Sequence, residues 1–168
     1  MKKSLYLFGI VSLFLLFSSY ARAEVDAEVA YILNTFSFLV CGFLVMWMAA
    51  GFLFLESGLV TTRSVSTIAA KNIGKFAIVS IVFYLFGYNL GYGVEEGGYL
   101  GFPSLWTDNT SIDTGYSDAS DWFFQALFVC ATVSIVSGAV AERIKIWPFF
   151  LFAGILGGFI YPIQMGWE

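Results

Sequence analysis

The sequence has 168 residues, of which 59% are hydrophobic, 20% are aromatic and 12% are charged, and its formal net charge is −4. Soluble domains contain about 45–50% apolar and about 25% charged residues, so this composition excludes a water-soluble globular domain. We therefore expect an all-α integral membrane protein, with the lipid bilayer as its surroundings and no nucleic-acid partner.

The N-terminal segment has the layout of a cleavable signal peptide. Two lysines follow the first methionine, residues 5–17 are apolar, and residues 21–23 read Ala-Arg-Ala, which fits a cleavage site. The alternative is an uncleaved first span, but the apolar stretch is shorter than the roughly 20 residues that a bilayer requires. We predict a signal peptide over residues 1–23 and a mature chain over residues 24–168.

Four longer apolar blocks follow, each long enough for a helix to cross the hydrocarbon core of a bilayer. Helices are expected because lipid offers no hydrogen-bond partner to free backbone groups. The predicted spans are residues 29–55, 76–94, 122–141 and 147–167.

Charge differs sharply between the predicted connections. The first carries Arg63, Lys71 and Lys75, and the third carries Arg143 and Lys145. The second connection has no basic residue. It carries six acids: Glu95, Glu96, Asp108, Asp113, Asp118 and Asp121. The positive-inside rule then predicts a multi-pass protein of the cell inner membrane, with basic connections in the cytoplasm and the mature N-terminus in the periplasm. The acids serve either solubility, the favoured interpretation, or the attraction of cations.

Small residues predict close helix contacts in the third and fourth spans. Every fourth residue of the third span is small (Ala126, Cys130, Ser134, Gly138), and Gly154 and Gly158 have the GxxxG spacing. The two cysteines, Cys41 and Cys130, both lie in apolar stretches and are expected to be free thiols.

Groups that carry out chemistry are scarce. The chain has no histidine, no CxxC pair and no phosphate-binding loop, so we expect no enzyme, no catalytic residue, no metal site and no cofactor. Glu56, near the end of the first span, is the notable ionisable residue. A structural role, in which it pairs with Arg63 or Lys71 or lies at a helix N-terminus, is favoured over a functional one.

Aromatic residues offer a second kind of site. Phe124 and Phe128 are one helical turn apart near the periplasmic end of the third span, and Trp167 ends the fourth span on the same side. Such rings can hold a small cation by cation–π attraction of about 0.5–2 kcal/mol per contact, and stacked rings can exclude water. Composition alone favours an ordinary interfacial aromatic belt instead.

The motifs favour a specific family. The third span reads FQALFVCAT from Phe124 and continues into SGAVAER, which ends at Arg143. The first span closes with AGFLFLESGL, Lys71-Asn72 precedes the second, and Tyr161-Pro162-Ile163 lies in the fourth. Together these segments resemble the ammonium transporter (Amt/Mep/Rh) family over essentially all of residues 28–168.

The resemblance implies roles for three residues. Phe128 matches the phenylalanine that lines the outer recruitment site and forms part of the gate. Phe124 matches the aromatic residue one turn above it, and Trp167 matches the tryptophan that completes the cation–π cage. The expected ligands are ammonium and methylammonium.

The resemblance also implies an eleven-span inverted-repeat fold, a homotrimer and channel-like uptake of ammonium as ammonia. The chain is expected to be the N-terminal four-span part of such a protein, not competent alone. A PII-type regulator is expected only if a C-terminal tail exists beyond this chain. The alternatives are an ammonium-sensing membrane input domain of a signalling protein and a membrane assembly protein without a ligand.

Overall fold

The computed structural model describes residues 26–94 and 98–167, and these residues form helices and connections without a strand. The predicted signal peptide lies outside the described residues, as do Glu95 and Glu96. Four helices are long and apolar enough to cross a membrane. They are α1 (Ala27–Leu59), α2 (Thr62–Tyr92), α3 (Asp118–Ala139) and α4 (Ile146–Met165).

The helix bounds correct the predicted connections at two places. α2 begins at Thr62 instead of Phe76, so Lys71 and Lys75 lie inside a helix and are buried. α3 begins at Asp118, which places the buried Asp121 in its first turn. The sequence assigned these residues to the connections because the contacts that bury them come from other helices and do not show in the local pattern.

Two of the helices change their winding partway along. α2 consists of a 3₁₀ turn (Thr62–Ser64), an α-helix (Val65–Val82), a π-helical turn (Phe83–Gly87) and a final α-helical turn (Tyr88–Tyr92). α4 consists of an α-helix (Ile146–Ile155), a π-helical turn (Leu156–Ile160) and a last α-helical segment (Tyr161–Met165).

The two π-helical turns lie side by side. The rings of Phe86 and Phe159 stack with their centroids 5.9 Å apart, and a Cβ built on Gly87 would lie 3.1 Å from Pro162 Cγ. A proline inside a helix lacks an N–H and collides with the preceding turn. The wider turn just ahead of Pro162 absorbs this conflict, so α4 continues to Met165.

α2 packs between α3 and α4, and α1 packs along α3. The apolar core is shared by α2, α3 and α4, and consists of Val79, Phe83, Ala126, Val129, Cys130, Val133, Phe149 and Ala153. The small-residue stripe of α3 therefore faces neighbouring helices, as predicted, and both cysteines are free. α1 keeps most of its apolar surface outside the bundle, which suits a helix in contact with lipid or with further protein.

The two ends of the bundle differ in charge. The basic end consists of residues 60–64 and 140–145, with Arg63, Arg143 and Lys145. The acidic end consists of residues 93–117, which the structure describes except for residues 95–97. This long connection folds back on α2: the Trp106 N–H donates to Tyr84 O at 3.0 Å, and Asn89 Nδ2 donates to Leu105 O at 3.0 Å. The described part of this connection contains no helix long enough to span a membrane.

Gly158 and Gly154 allow a test of the packing of α2 against α4. A Cβ on Gly158 would lie 2.2 Å from Val82 Cγ1, whereas a Cβ on Gly154 would meet its nearest neighbour, Ile78 Cγ2, at 3.7 Å. We expect Gly158→Ala to destabilise the bundle by about 1–3 kcal/mol through overpacking. Gly154→Ala is the control, with no loss or a gain of up to about 1 kcal/mol from helix propensity. Denaturant unfolding in detergent micelles measures both, and equal stabilities would contradict the packing.

Candidate functional site

The two phenylalanines singled out in the sequence form a contacting pair on α3. The rings of Phe124 and Phe128 are 4.8 Å apart between centroids and meet edge to face at 67°. Phe128 leaves 36% of its surface exposed although its neighbours Leu127 and Val129 are buried. The pair therefore presents one exposed ring on the outside of the bundle, with the second ring behind it.

Further rings extend this pair toward α1 and the acidic end. Phe38 of α1 lies 5.4 Å from Phe124 between ring centroids, and Tyr116 lies 5.1 Å from Phe38 in an edge-to-face arrangement. Two hydrogen bonds hold this corner together, from Asn34 Nδ2 to Gly115 O at 3.0 Å and from Ser117 N to Thr35 Oγ1 at 3.0 Å. The continuous row Tyr116–Phe38–Phe124–Phe128 is named the phenylalanine row below.

Trp167 lies at the end of α4 and is 64% exposed. Its indole Nε1–H donates to Tyr99 O in the acidic-end connection at 2.5 Å. Among the ring contacts of the described residues, none joins Trp167 to Phe124 or Phe128. The structure thus brings the two phenylalanines together and anchors the tryptophan to the connection instead.

A polar cluster at the acidic end was missed in the sequence. Asp121 is only 2% exposed and accepts hydrogen bonds from Tyr88 Oη at 2.8 Å and Tyr92 Oη at 3.4 Å. Gln125, one turn further along α3, donates to Tyr92 Oη at 2.8 Å. The available signal was the matching spacing of four residues on both helices, which places each pair on one helix face.

Aromatic rings cover this cluster under the acidic-end connection. Trp106 from the connection lies 5.9 Å from Trp122 of α3 and 5.8 Å from Tyr84 of α2, measured between ring centroids. The connection is therefore packed onto α2 and α3 by an aromatic layer. Two further acids hold the local fold: Asp118, at the start of α3, accepts from Asn109 N at 3.1 Å, and Asp108, in the connection, accepts from Thr110 N at 3.0 Å.

A buried ionic cluster lies toward the basic end. Glu56 of α1 is 1% exposed, and its Oε2 lies 3.1 Å from Lys71 Nζ on α2. The same oxygen accepts from Ser137 Oγ of α3 at 2.8 Å. Lys75 Nζ, also on α2, lies 4.0 Å from Glu56 Oε1. The predicted pairing of Glu56 with Lys71 is confirmed, and the carboxylate connects three helices.

A second carboxylate, that of Glu142, joins two turns at the basic end. Glu142, in the turn after α3, accepts from Thr61 N at 3.1 Å and from Thr61 Oγ1 at 2.7 Å. Its backbone has φ of 60°, the left-handed region that non-glycine residues rarely adopt. The hydrogen bonds from Thr61 and Ser64 hold the pKa of the Glu142 carboxyl below its usual range. Glu142 thereby fastens the α3–α4 turn to the α1–α2 turn.

The described residues contain no group of three or more His, Cys, Asp or Glu side chains placed to hold a metal ion. The site residues therefore offer aromatic faces at the acidic end and two carboxylate-centred networks at the basic end. Aromatic faces suit a small cation. The carboxylates are already committed to neighbouring side chains.

The sequence matches the Ammonium Transporter Family over residues 36–168. It is 36% identical to ammonium transporter Amt2 of Archaeoglobus fulgidus over 77% of this chain and 27% of the relative. It is 35% identical to ammonium transporter Amt1 of Methanocaldococcus jannaschii over 78% of this chain and 31% of the relative. An ammonium transporter of Aquifex aeolicus is 30% identical over 94% of this chain and 38% of the relative. The chain thus spans about a third of the length of these relatives.

The Glu142–Thr61 contact predicts a pH-dependent contribution to stability. A carboxyl whose pKa is depressed in the folded state stabilises the protein above its unfolded pKa of about 4.3, and this contribution is lost as the pH falls through the lower folded value. We expect Thr61→Ala to lower stability at pH 7 and this deficit to shrink at a pH below the folded pKa, where only the Thr61–Ser64 contact is still lost.

The measurement is denaturant unfolding in detergent micelles at neutral and acidic pH. Thr62→Ala is the matched control, because the Thr62 hydroxyl makes no hydrogen bond among the described residues. A Thr61→Ala deficit that stays constant from neutral to acidic pH would show that the carboxylate is not its cause.

Proposed function

We propose that this chain, which belongs to the ammonium transporter family, takes part in moving ammonium across the cell inner membrane and supplies one wall of the outer recruitment site. The relatives named above are ammonium transporters, and the chain has four helices of spanning length. The whole protein is proposed to have the eleven-span inverted-repeat fold and to act as a trimeric, channel-like transporter and not an enzyme.

The observation that carries the proposal is the phenylalanine row. Phe128 offers an exposed aromatic face, and Phe124 and Phe38 lie behind it in edge-to-face and tilted contacts. The negative face of an aromatic ring attracts a desolvating cation such as ammonium. The same ring in a narrow apolar passage excludes water, which is the gate role proposed for Phe128.

Trp167 is proposed as the second aromatic group of the cage. It lies at the same end of the bundle as Phe124, and its ring is mostly exposed. Its hydrogen bond to Tyr99 O fixes the indole against the acidic-end connection. Closure of the cage then requires the tryptophan face to approach Phe128, either by a shift of this connection or through further parts of the protein.

The proposed orientation places the acidic end in the periplasm and the basic end in the cytoplasm, as the distribution of Lys and Arg favours. Ammonium would then be recruited from the periplasm, at the end of the bundle where the phenylalanine row lies. A homotrimer, and a PII-type regulator acting on a C-terminal tail beyond this chain, are proposed from family membership alone.

Methylammonium binding tests the recruitment wall. We expect Phe128→Ala and Trp167→Ala each to weaken binding of labelled methylammonium by about 2- to 30-fold, the equivalent of one cation–π contact of about 0.5–2 kcal/mol. Phe54→Ala, which removes a 75% exposed ring near the basic end, is the matched control and should leave binding unchanged. Equal affinities for the Phe128 and Phe54 variants would refute the proposed wall.

Thiol labelling tests the orientation. In a Cys41→Ser background, we expect a membrane-impermeant maleimide to label Asp113→Cys in intact cells. Lys145→Cys should react only after the membrane is permeabilised. Both positions are exposed in the connections, so access depends on the side of the membrane and not on burial. The reverse pattern would invert the proposed topology.

A further inference from the structure

The buried ionic cluster carries more positive than negative charge. Lys71 and Lys75 are 5% and 1% exposed, and they share the single carboxylate of Glu56. If both lysines are ammonium ions, the cluster holds one unit of uncompensated positive charge inside a membrane-spanning bundle. A charge buried without a partner is costly enough that the group usually neutralises instead.

The geometry identifies which lysine lacks a full partner. Glu56 Oε2 is occupied by Lys71 Nζ at 3.1 Å, Ser137 Oγ at 2.8 Å and Asn72 Nδ2 at 3.4 Å. Glu56 Oε1, the oxygen that faces Lys75, is buried without a hydrogen bond. Lys75 Nζ remains 4.0 Å from it, beyond hydrogen-bond distance.

The remaining contacts also favour a positive charge on Lys71 more than on Lys75. Lys71 Nζ also donates to Ser137 O at 3.1 Å and lies 5.0 Å from the centroid of the Phe149 ring, and both neighbours favour a cation. The hydrogen bond of Lys75 Nζ is to a neutral amide oxygen, Asn72 Oδ1, at 2.5 Å. A neutral amine still has N–H groups that can donate this bond.

We propose that this cluster is a proton-binding site in which Lys71 and Glu56 form the lasting ion pair and Lys75 is the lysine that loses its proton first as the pH rises. The groups that face Lys75 are Glu56 from α1, Lys71 from its own helix and the Cys130 thiol from α3. α4 contributes apolar core residues, Phe149 and Ala153. The ligand is one proton, and the inference does not depend on ammonium recruitment at the other end of the bundle.

A cavity at the basic end reaches the cluster at Lys71. It has a volume of about 90 Å³ and is lined by Lys71, by the hydroxyl-bearing Ser64 and Thr67 and by the exposed Glu142. Uptake adds one N–H bond at the Lys75 lone pair, with the proton taken from hydronium or a buffer acid, which becomes water or the conjugate base. Release reverses this step, and no other bond changes.

Nitrogen NMR of the lysine side chains tests the proposal directly. The sequence has five lysines: Lys2, Lys3, Lys71, Lys75 and Lys145. In the full chain labelled with ¹⁵N-lysine in micelles, we expect one Nζ signal to move from the ammonium to the amine position at a lower pH than the others. This early-moving signal should be absent from Lys75→Met. The exposed Lys145→Met is the matched control and should retain it.

A second variant tests the proposal if Lys75→Met fails to fold. A chain with arginine in place of the other four lysines keeps Lys75 as its sole lysine, so its Nζ signal is assigned without a Lys75 variant. Movement of every lysine signal over the same pH range would overturn the proposal. A water molecule between Lys75 and Glu56 that keeps the lysine charged would give this result.

Discussion

The buried carboxylate of Glu56 is the interaction on which the arrangement of α1, α2 and α3 depends. Lipid tails are as apolar as leucine side chains, so apolar packing alone fixes neither the depth nor the rotation of a membrane helix. One carboxylate that reaches Lys71 on α2 and Ser137 on α3 fixes both. Removal of one partner would leave a buried charge, at a cost of about 3–5 kcal/mol.

Further polar contacts hold the helices together at both ends of the bundle. Glu142 ties the two turns at the basic end, close to where Glu56 joins the helices. At the other end, Asp121 performs the corresponding task through two tyrosine hydroxyls. Between these polar contacts, the core of α2, α3 and α4 is apolar, and its π-helical turns allow Gly87 and Pro162 to meet closely. Polar contacts thus set the register, and shape complementarity fills the space between them.

Features that repeat within one helix could be predicted from the sequence, whereas contacts between helices could not. The turn-spaced pair Phe124 and Phe128, the small stripe of α3 and the apolar stretches of α1 and α4 all follow from local pattern. The burial of Lys75 could not be predicted, because its neighbours come from three helices. Phe38 belongs to the phenylalanine row only because α1 packs along α3, a fact that no local pattern contains.

At the acidic end too, the sequence predicted the contacts within one helix but not the contacts between elements. Spacing alone placed two phenylalanines on one face of α3, and family resemblance supplied their proposed role. The position of Trp167 depends on its hydrogen bond to Tyr99, which lies in a connection 68 residues earlier in the chain. Asp121 looked like one more solvated acid, since the tyrosines that bury it belong to the preceding helix.

The turn between α1 and α2 is only two residues long, Val60 and Thr61, and it has a consequence for how the chain enters the bilayer. Isolated, α2 would bring two lysines into lipid without a counter-ion. Glu56, which pairs with Lys71 and faces Lys75, is on the helix made immediately before α2, and a turn of this length keeps the two helices together. Insertion of α1 and α2 as one hairpin is therefore less costly than insertion of each helix separately, so the order of synthesis itself favours correct assembly.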